Sequence, residues 1–258
     1  MSLLNTLTSG VSALRSFSQG LDAIGNDIAN VNTTAFKSQD TSFADTFNGQ
    51  GVQVTSTSTN YSQGSLSSTG VATDLGISGN GYFVVTDTAS TAQYLTRDGS
   101  FTVDSGGYLV NQQGYRVQGL VSGSAAAIQI PATNTAGAAL QSESIDNSGN
   151  VVASYADGTQ TTVGQVLLYN PSDPTSQLSS QGDNLYSYNG GTISLSASNA
   201  PGTTGLGSIQ AGTLEQSNVD LTQEFSEMIT MQRAFEANSR VVTVSDTILQ
   251  DIVDLKQP

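Results

Sequence analysis

The chain has 258 residues, 11% of them charged, a formal net charge of −14, and no Cys, His or Trp. An acidic surface without a basic cluster repels nucleic-acid phosphates and anionic lipid, which sets both aside as partners. The missing residue types also remove Cys and His nucleophiles, His general bases and any His/Cys metal site, so no cofactor or metal is expected.

No run approaches the roughly 18 apolar residues of a membrane span. The first basic residue is Arg15, and no charged region precedes an apolar run near the N-terminus. The expectation is a chain that stays inside, or one that leaves without a cleaved signal peptide.

Residues 3–31 read as helix. Leu7, Leu14, Leu21 and Ile28 recur every seven residues, with Val11, Phe17 and Ile24 beside them. This is one apolar stripe at helical spacing, flanked by polar residues. Gly10, Gly20 and Gly25 each weaken the helix by about 1 kcal/mol relative to Ala. The helix ends in "ANVNTTAFK" (29–37). There Asn30 and Asn32 can take a left-handed or side-chain-bonded turn, and Phe36 is the expected anchor of the connector beyond.

Residues 40–212 carry almost no helical pattern. "GYFVVTD", "SFTVD", "GYLVNQ", "YRVQGL" and "VGQVLLYN" are short β-branched and aromatic runs separated by "RDG", "DSGG", "NQQG", "DNSG" and "ADG". Asn, Asp and Gly at those points are hairpin-turn chemistry. Four stretches invite a site reading and do not sustain it. "DNSGN" (146–150) departs from a calcium loop at Ser148 and Val151 and reads as a turn. "GNGYF" (79–83) lacks the Lys and helix of a phosphate loop, and the sequons "NTT" (32–34) and "NYS" (60–62) are common by chance.

Residues 219–255 read as a second helix. Leu221, Met228, Phe235, Val242 and Leu249 recur every seven residues, and Ile248, Ile252 and Leu255 widen the stripe. Asn218 and Asp220 stand at its start, and "DLTQ" (220–223) has capping-box spacing, with Gln223 reaching back. Such a helix would be roughly 50 Å long, more like a coiled-coil element than a domain helix. A helix like the first is marginal without a partner, and the second is the natural one. The alternative is that both pack on the β region within one monomer.

The order of these motifs resembles the flagellar hook and basal-body rod protein family. "LDAIGNDIANVNTTAFKS" (21–38) is similar to its N-terminal signature. "DLGISGNGYFVV" (74–85), "LTRDGSFTVDSGGYLVNQQGYRVQG" (95–119), "VGQVLLYNPSDP" (163–174) and "GDNLYS" (182–187) resemble its shared β domain. "GSIQAGTLEQSNVDLTQEFSEMITMQRAFEANSRVV" (207–242) resembles its C-terminal signature. Together these stretches reach nearly end to end.

The resemblance implies a structural subunit and not an enzyme. The expected fold is a mainly β outer domain, residues 74–201. Long terminal helices, residues 1–31 and 219–258, would pair as a coiled-coil-like inner domain, with connectors at 32–73 and 202–218. The short connector without an insert, "FADTF", and the ending "VSDTILQDIVDLK" look more like a hook protein, here a short one lacking a further outer domain. The expectation is therefore a hook subunit that polymerises into a curved hollow tube. The alternatives are a distal rod subunit or, from another class, a secreted adhesin with coiled-coil ends. Implied partners are further copies of the chain, the hook cap, distal rod and hook–filament junction proteins, and the flagellar type III export apparatus. "FADTF" (43–47) fits the Phe-x-x-x-hydrophobic pattern of its substrates, with Phe43 and Phe47 as key positions.

Overall fold

The structure is a computed structural model that describes residues 3–46, 51–88, 90, 92–203 and 205–255. The chain divides into two compact units, one of residues 1–32, 37–62 and 218–258, the other of residues 33–36 and 63–217.

The first unit holds two long helices and one hairpin. Helix α1 spans Leu3–Ala29, strands β1 (Gln39–Asp45) and β2 (Val52–Thr59) pair antiparallel, and the return helix, α3 in chain order, spans Leu221–Asp254. Gly10 of α1 lies against Val242 of α3, and Gly20 lies against Met231. Residue numbers rise along α1 as they fall along α3, so the two helices run antiparallel. A β-carbon on Gly10 would sit 2.8 Å from Val242 Cγ2. The glycine that weakens the isolated helix is what lets α3 approach.

The hairpin packs on α1. Ser16 Oγ donates to the Val52 carbonyl at 2.9 Å, and Phe43 packs tilted against Phe17 with ring centroids 5.9 Å apart. Gln39–Asp45 and Val52–Thr59, within the expected connector, are thus strand, and a register shift falls between Ser42 and Phe43. Val and Thr at alternate positions of "VQVTSTST" suit this half-buried ribbon.

The second unit is almost wholly β. Its strands are β3 (Leu66–Ser68), β4 (Leu75–Ser78), β5 (Tyr82–Thr86), β6 (Gln93–Thr96), β7 (Thr102–Val103), β8 (Leu109–Val110), β9 (Arg116–Val121) and β10 (Ser124–Ala127). They continue as β11 (Leu140–Ile145), β12 (Asn150–Tyr155), β13 (Gln160–Val166) and β14 (Leu168–Tyr169), then a four-residue helix α2 (Pro174–Gln177). Strands β15 (Leu178–Gly182), β16 (Leu185–Tyr188), β17 (Ser208–Ala211) and β18 (Thr213–Glu215) complete it. Among the described residues twelve strands form one antiparallel sheet along the path β11-β12-β13-β9-β5-β6-β16-β15, while β17 pairs with β4 and β18 with β3. Phe83, Phe101, Val117, Ile128, Val151 and Leu168 lie in its core, and Phe83 meets Phe101 edge-on at 5.1 Å.

The turn chemistry is visible atom by atom. In "DNSGN" the Asp146 side chain accepts from the Ser148 and Asn150 amides, and Gly149 takes φ +80°. The Asp146 carboxylate is occupied in closing the β11–β12 hairpin.

One buried ion pair sits within this unit. Arg97 Nη1 is 3.1 Å from Glu215 Oε2, both essentially buried. The guanidinium also donates to the Gly79 carbonyl and lies over the Tyr82 ring, and Glu215 Oε1 accepts from the Gly64 amide. "RDG" therefore does more than turn the chain: its Arg joins β18 to the loops around β4.

Candidate functional site

The candidate site is the surface built by α1 and α3, the two helices that carry the expected apolar stripes. Among the described residues no group of His, Cys, Asp and Glu could hold a metal ion, and no helix is long and apolar enough to cross a membrane.

The buried line of α1 is Gly10, Ala13, Ser16, Gly20, Ile24 and Asp27. Of the expected stripe, Ile24 is on that line. Leu7, Val11, Leu14, Phe17, Leu21 and Ile28 are half-buried. Small residues form the centre of the contact, and Leu7, Leu14, Leu21 and Ile28 run along one flank. The reason is distance: helices approach closely only where side chains are short, so bulk is displaced to the flank.

On α3 the face toward α1 carries Glu224, Met228, Met231, Asn238, Val242, Ser245 and Leu249, all buried or half-buried. Leu221, Phe235 and Ile252 of the expected stripe are exposed. A second apolar line faces away from α1, with Ile229 at 57% and Val244 at 58% exposure, joined by Phe225, Val241 and Ile248.

The ends of both helices differ in detail from the sequence reading. Asp220 caps α3, its Oδ1 accepting from the Thr222 amide at 2.8 Å and the Gln223 amide at 3.4 Å. The Gln223 side chain does not close a box; it donates to Glu227 one turn on. At the end of α1, Asn30 makes the side-chain-bonded turn, its Nδ2 donating to the Asn26 carbonyl at 2.9 Å. Neither Asn30 nor Asn32 takes the left-handed conformation. Ala35 does, with φ +56° and no exposed surface, and its amide donates to the Glu215 carbonyl. Phe36 is half-buried beside it.

Asn218 ties three segments together. Its Oδ1 accepts from the Ser38 amide at 2.8 Å, and its Nδ2 donates to the Asn60 carbonyl at 2.8 Å and the Ser62 carbonyl at 3.2 Å. One amide side chain so fixes where the chain leaves for the β unit and where it returns. Phe43 is half-buried against α1, whereas Phe47 lies outside the described residues.

Two acidic residues escaped the sequence reading. Asp27 is fully buried; its Oδ2 accepts from the Gln39 amide at 2.8 Å and its Oδ1 has no partner. Glu224, at the same end of the antiparallel contact, is 8% exposed. Burial, then the neighbouring charges of Asp27, Glu227, Asp40 and Asp220, push its carboxyl up to about 7. Burial likewise raises Asp27, against the Gln39 hydrogen bond. Five carboxylates therefore crowd one end of the helix pair. Their signal was phase: Asp27 stands seven residues after Gly20 and Glu224 seven before Met231, in step with the buried lines.

Comparison with known proteins follows the same layout. The family model described as "Flagellar hook protein FlgE/F/G D1 domain" matches residues 76–153. The one described as "Flagellar basal body rod FlgEFG protein C-terminal" matches residues 210–255. The flagellar basal-body rod protein FlgG of Bacillus subtilis is 39% identical over 99% of this chain and 100% of its own length. FlgG of Borreliella burgdorferi is 30% identical over the same shares. The flagellar hook protein FlgE of Helicobacter mustelae is 40% identical over 139 residues, which is 45% of this chain and 31% of that protein. Identity over whole chains, with both helix-bearing ends and the β unit included, means that this chain belongs to the flagellar hook and basal-body rod protein family, a family of structural proteins and not enzymes.

Proposed function

We propose that the chain is a subunit of the distal rod of the bacterial flagellum, polymerising into a straight hollow tube that transmits torque. The observation that carries this reading is the end-to-end match to rod proteins, set against a hook match covering 31% of its relative. The geometry supplies a means. A 34-residue helix presents a second apolar line that its own partner helix does not cover. Burying such a line against neighbouring copies releases about 25 cal/mol for each Å² of apolar surface. The antiparallel pair α1–α3 forms the inner wall, coiled-coil-like in its heptad seam, and the β unit forms the outer layer.

Export follows from the same layout. In the folded subunit Phe43 is packed on α1, so it is legible to an export apparatus only while the chain is unfolded. With Phe47 it acts as the export signal, and folding occurs after passage. The chain then meets copies of itself and the proteins above and below it in the axial structure.

The hook reading is the second one, and the 40% identity to a hook protein over 139 residues favours it. A β unit surfaced by Ser, Thr, Gly, Asn and Gln offers weak, exchangeable contacts of the kind a bending tube needs. Basal bodies isolated from a strain lacking the chain decide between the readings. Truncated rods with no hook support the distal rod. Complete rods that end where the hook should begin support the hook, and intact rods and hooks overturn both.

A further inference from the structure

Resting on the reading of this chain as a polymerising subunit, we infer that α3 carries a charge-paired docking face for a second copy. In it, Arg233 and Arg240 of one subunit seat on the acidic end of the helix pair of the next.

The face is defined by helix geometry. Ile229, Arg233, Ala237, Arg240 and Val244 follow one another by three or four residues, on the side of α3 turned away from α1, and all are exposed. Arg233 and Arg240 make no hydrogen bond or ion pair among the described residues, even with Glu236 between them. Together with Glu236 and the short Ala237 they line a shallow hollow on the helix surface. Two unpartnered guanidinium groups are conspicuous in a chain with only seven Lys and Arg against 21 Asp and Glu.

The complementary face lies on the same unit. Asp40, Asp220 and Glu227 are exposed around the buried Asp27 and Glu224, and the Asp27 Oδ1 atom has no partner. Lys37, the cation buried in this unit, gives a hydrogen bond to the Ser62 carbonyl. Five carboxylates gathered at one end repel one another, and a guanidinium from a second copy relieves that repulsion. The two faces differ, one basic and apolar, the other acidic. A copy joined through them adds head to tail and leaves a fresh face at each end, the arrangement that grows an open filament instead of closing a dimer. Along α3 the basic pair lies about thirteen residues from the acidic end, so the contact sets an axial step of roughly 20 Å.

Charge pairing also addresses a difficulty of the reading. Copies with net charge −14 repel at long range. Two Arg placed against an acidic end turn part of that repulsion into orientation, which favours correct register over other packings.

The test uses the full chain and its charge variants, assembled at a series of concentrations and read by sedimentation and electron microscopy. R233E/R240E should raise the concentration needed for tubes at least tenfold, with helical circular dichroism unchanged because neither Arg is bonded in the subunit. D40R/E227R should be impaired to a similar degree, although it makes the chain less negative and so weakens general repulsion. The four-site variant carrying both exchanges should return to within about threefold of the wild type. Tubes from R233E/R240E at wild-type concentrations, or no recovery in the four-site variant, overturn the pairing while leaving the polymer reading intact. A wild-type chain that forms no tubes at any concentration overturns both.

Discussion

Replacing Glu224 with Gln isolates a specific electrostatic cost in the helical unit. The carboxyl has an ordinary value of 4.5 and is held at about 7 by burial and four neighbouring carboxylates. A carboxyl raised in the folded state binds more protons folded than unfolded, so stability is fully present below the unfolded value and is lost as pH rises through the folded one. The window is therefore from pH 4.5 up to about 7. At about 1.36 kcal/mol per pH unit of separation the loss is at most roughly 3 kcal/mol, and solvent screening at the partly open end brings it nearer 2. Denaturant unfolding followed by far-ultraviolet circular dichroism reads the helices of this unit and yields the free energy by linear extrapolation. Glu224→Gln should match the wild type in acid and exceed it by about 2 kcal/mol at neutral pH and above. A smaller slope should survive in the variant, because Asp27 is raised in the same direction. Parallel pH profiles for the two proteins, or a variant less stable than wild type at neutral pH, would refute the reasoning.

Arg97→Met should destabilise the β unit by about 3–5 kcal/mol by leaving Glu215 buried without its partner, and Arg97→Met/Glu215→Leu should regain most of that in equilibrium unfolding. Gly10→Leu should drive side-chain bulk into Val242 and cost about 1–3 kcal/mol of helical-unit stability despite a better helix propensity. Val242→Ala in the same chain should restore part of it, and an unchanged unfolding midpoint in Gly10→Leu would show that the two helices do not meet there. Asn218→Ala removes the hydrogen bonds to Ser38, Asn60 and Ser62 and should cost about 2 kcal/mol. Hydrogen exchange should then quicken around Ser38 and Asn60 before it does along β5 or β9.

Much of the fold was legible because it rests on local period and turn chemistry. Seven-residue recurrence placed both helices to within about two residues of Leu3–Ala29 and Leu221–Asp254. Asp and Gly in "DSGG" and "DNSG" marked hairpins that their side chains close. What did not read out depends on contacts between distant segments. Ala35 is left-handed because its amide must reach the Glu215 carbonyl, 180 residues away in sequence. No local pattern asks an Ala to do that. Arg97 looked like a turn residue because its partner is 118 positions further on. Strands β1 and β2 hid in Ser and Thr, residues that the period argument scores as linker. In the candidate surface the stripe residues were named correctly as apolar. Which of them face α1 depends on glycines and small residues that a hydrophobic count leaves out.

Electron cryo-microscopy of tubes grown from the purified chain tests the central claim most directly. The account predicts straight hollow tubes whose inner wall is the antiparallel α1–α3 pair. The outward line of α3, from Ile229 through Val244, should be buried against neighbouring copies. Tubes held together by β-unit contacts alone, with that line facing solvent, would contradict it, as would a chain that stays monomeric under every condition of assembly.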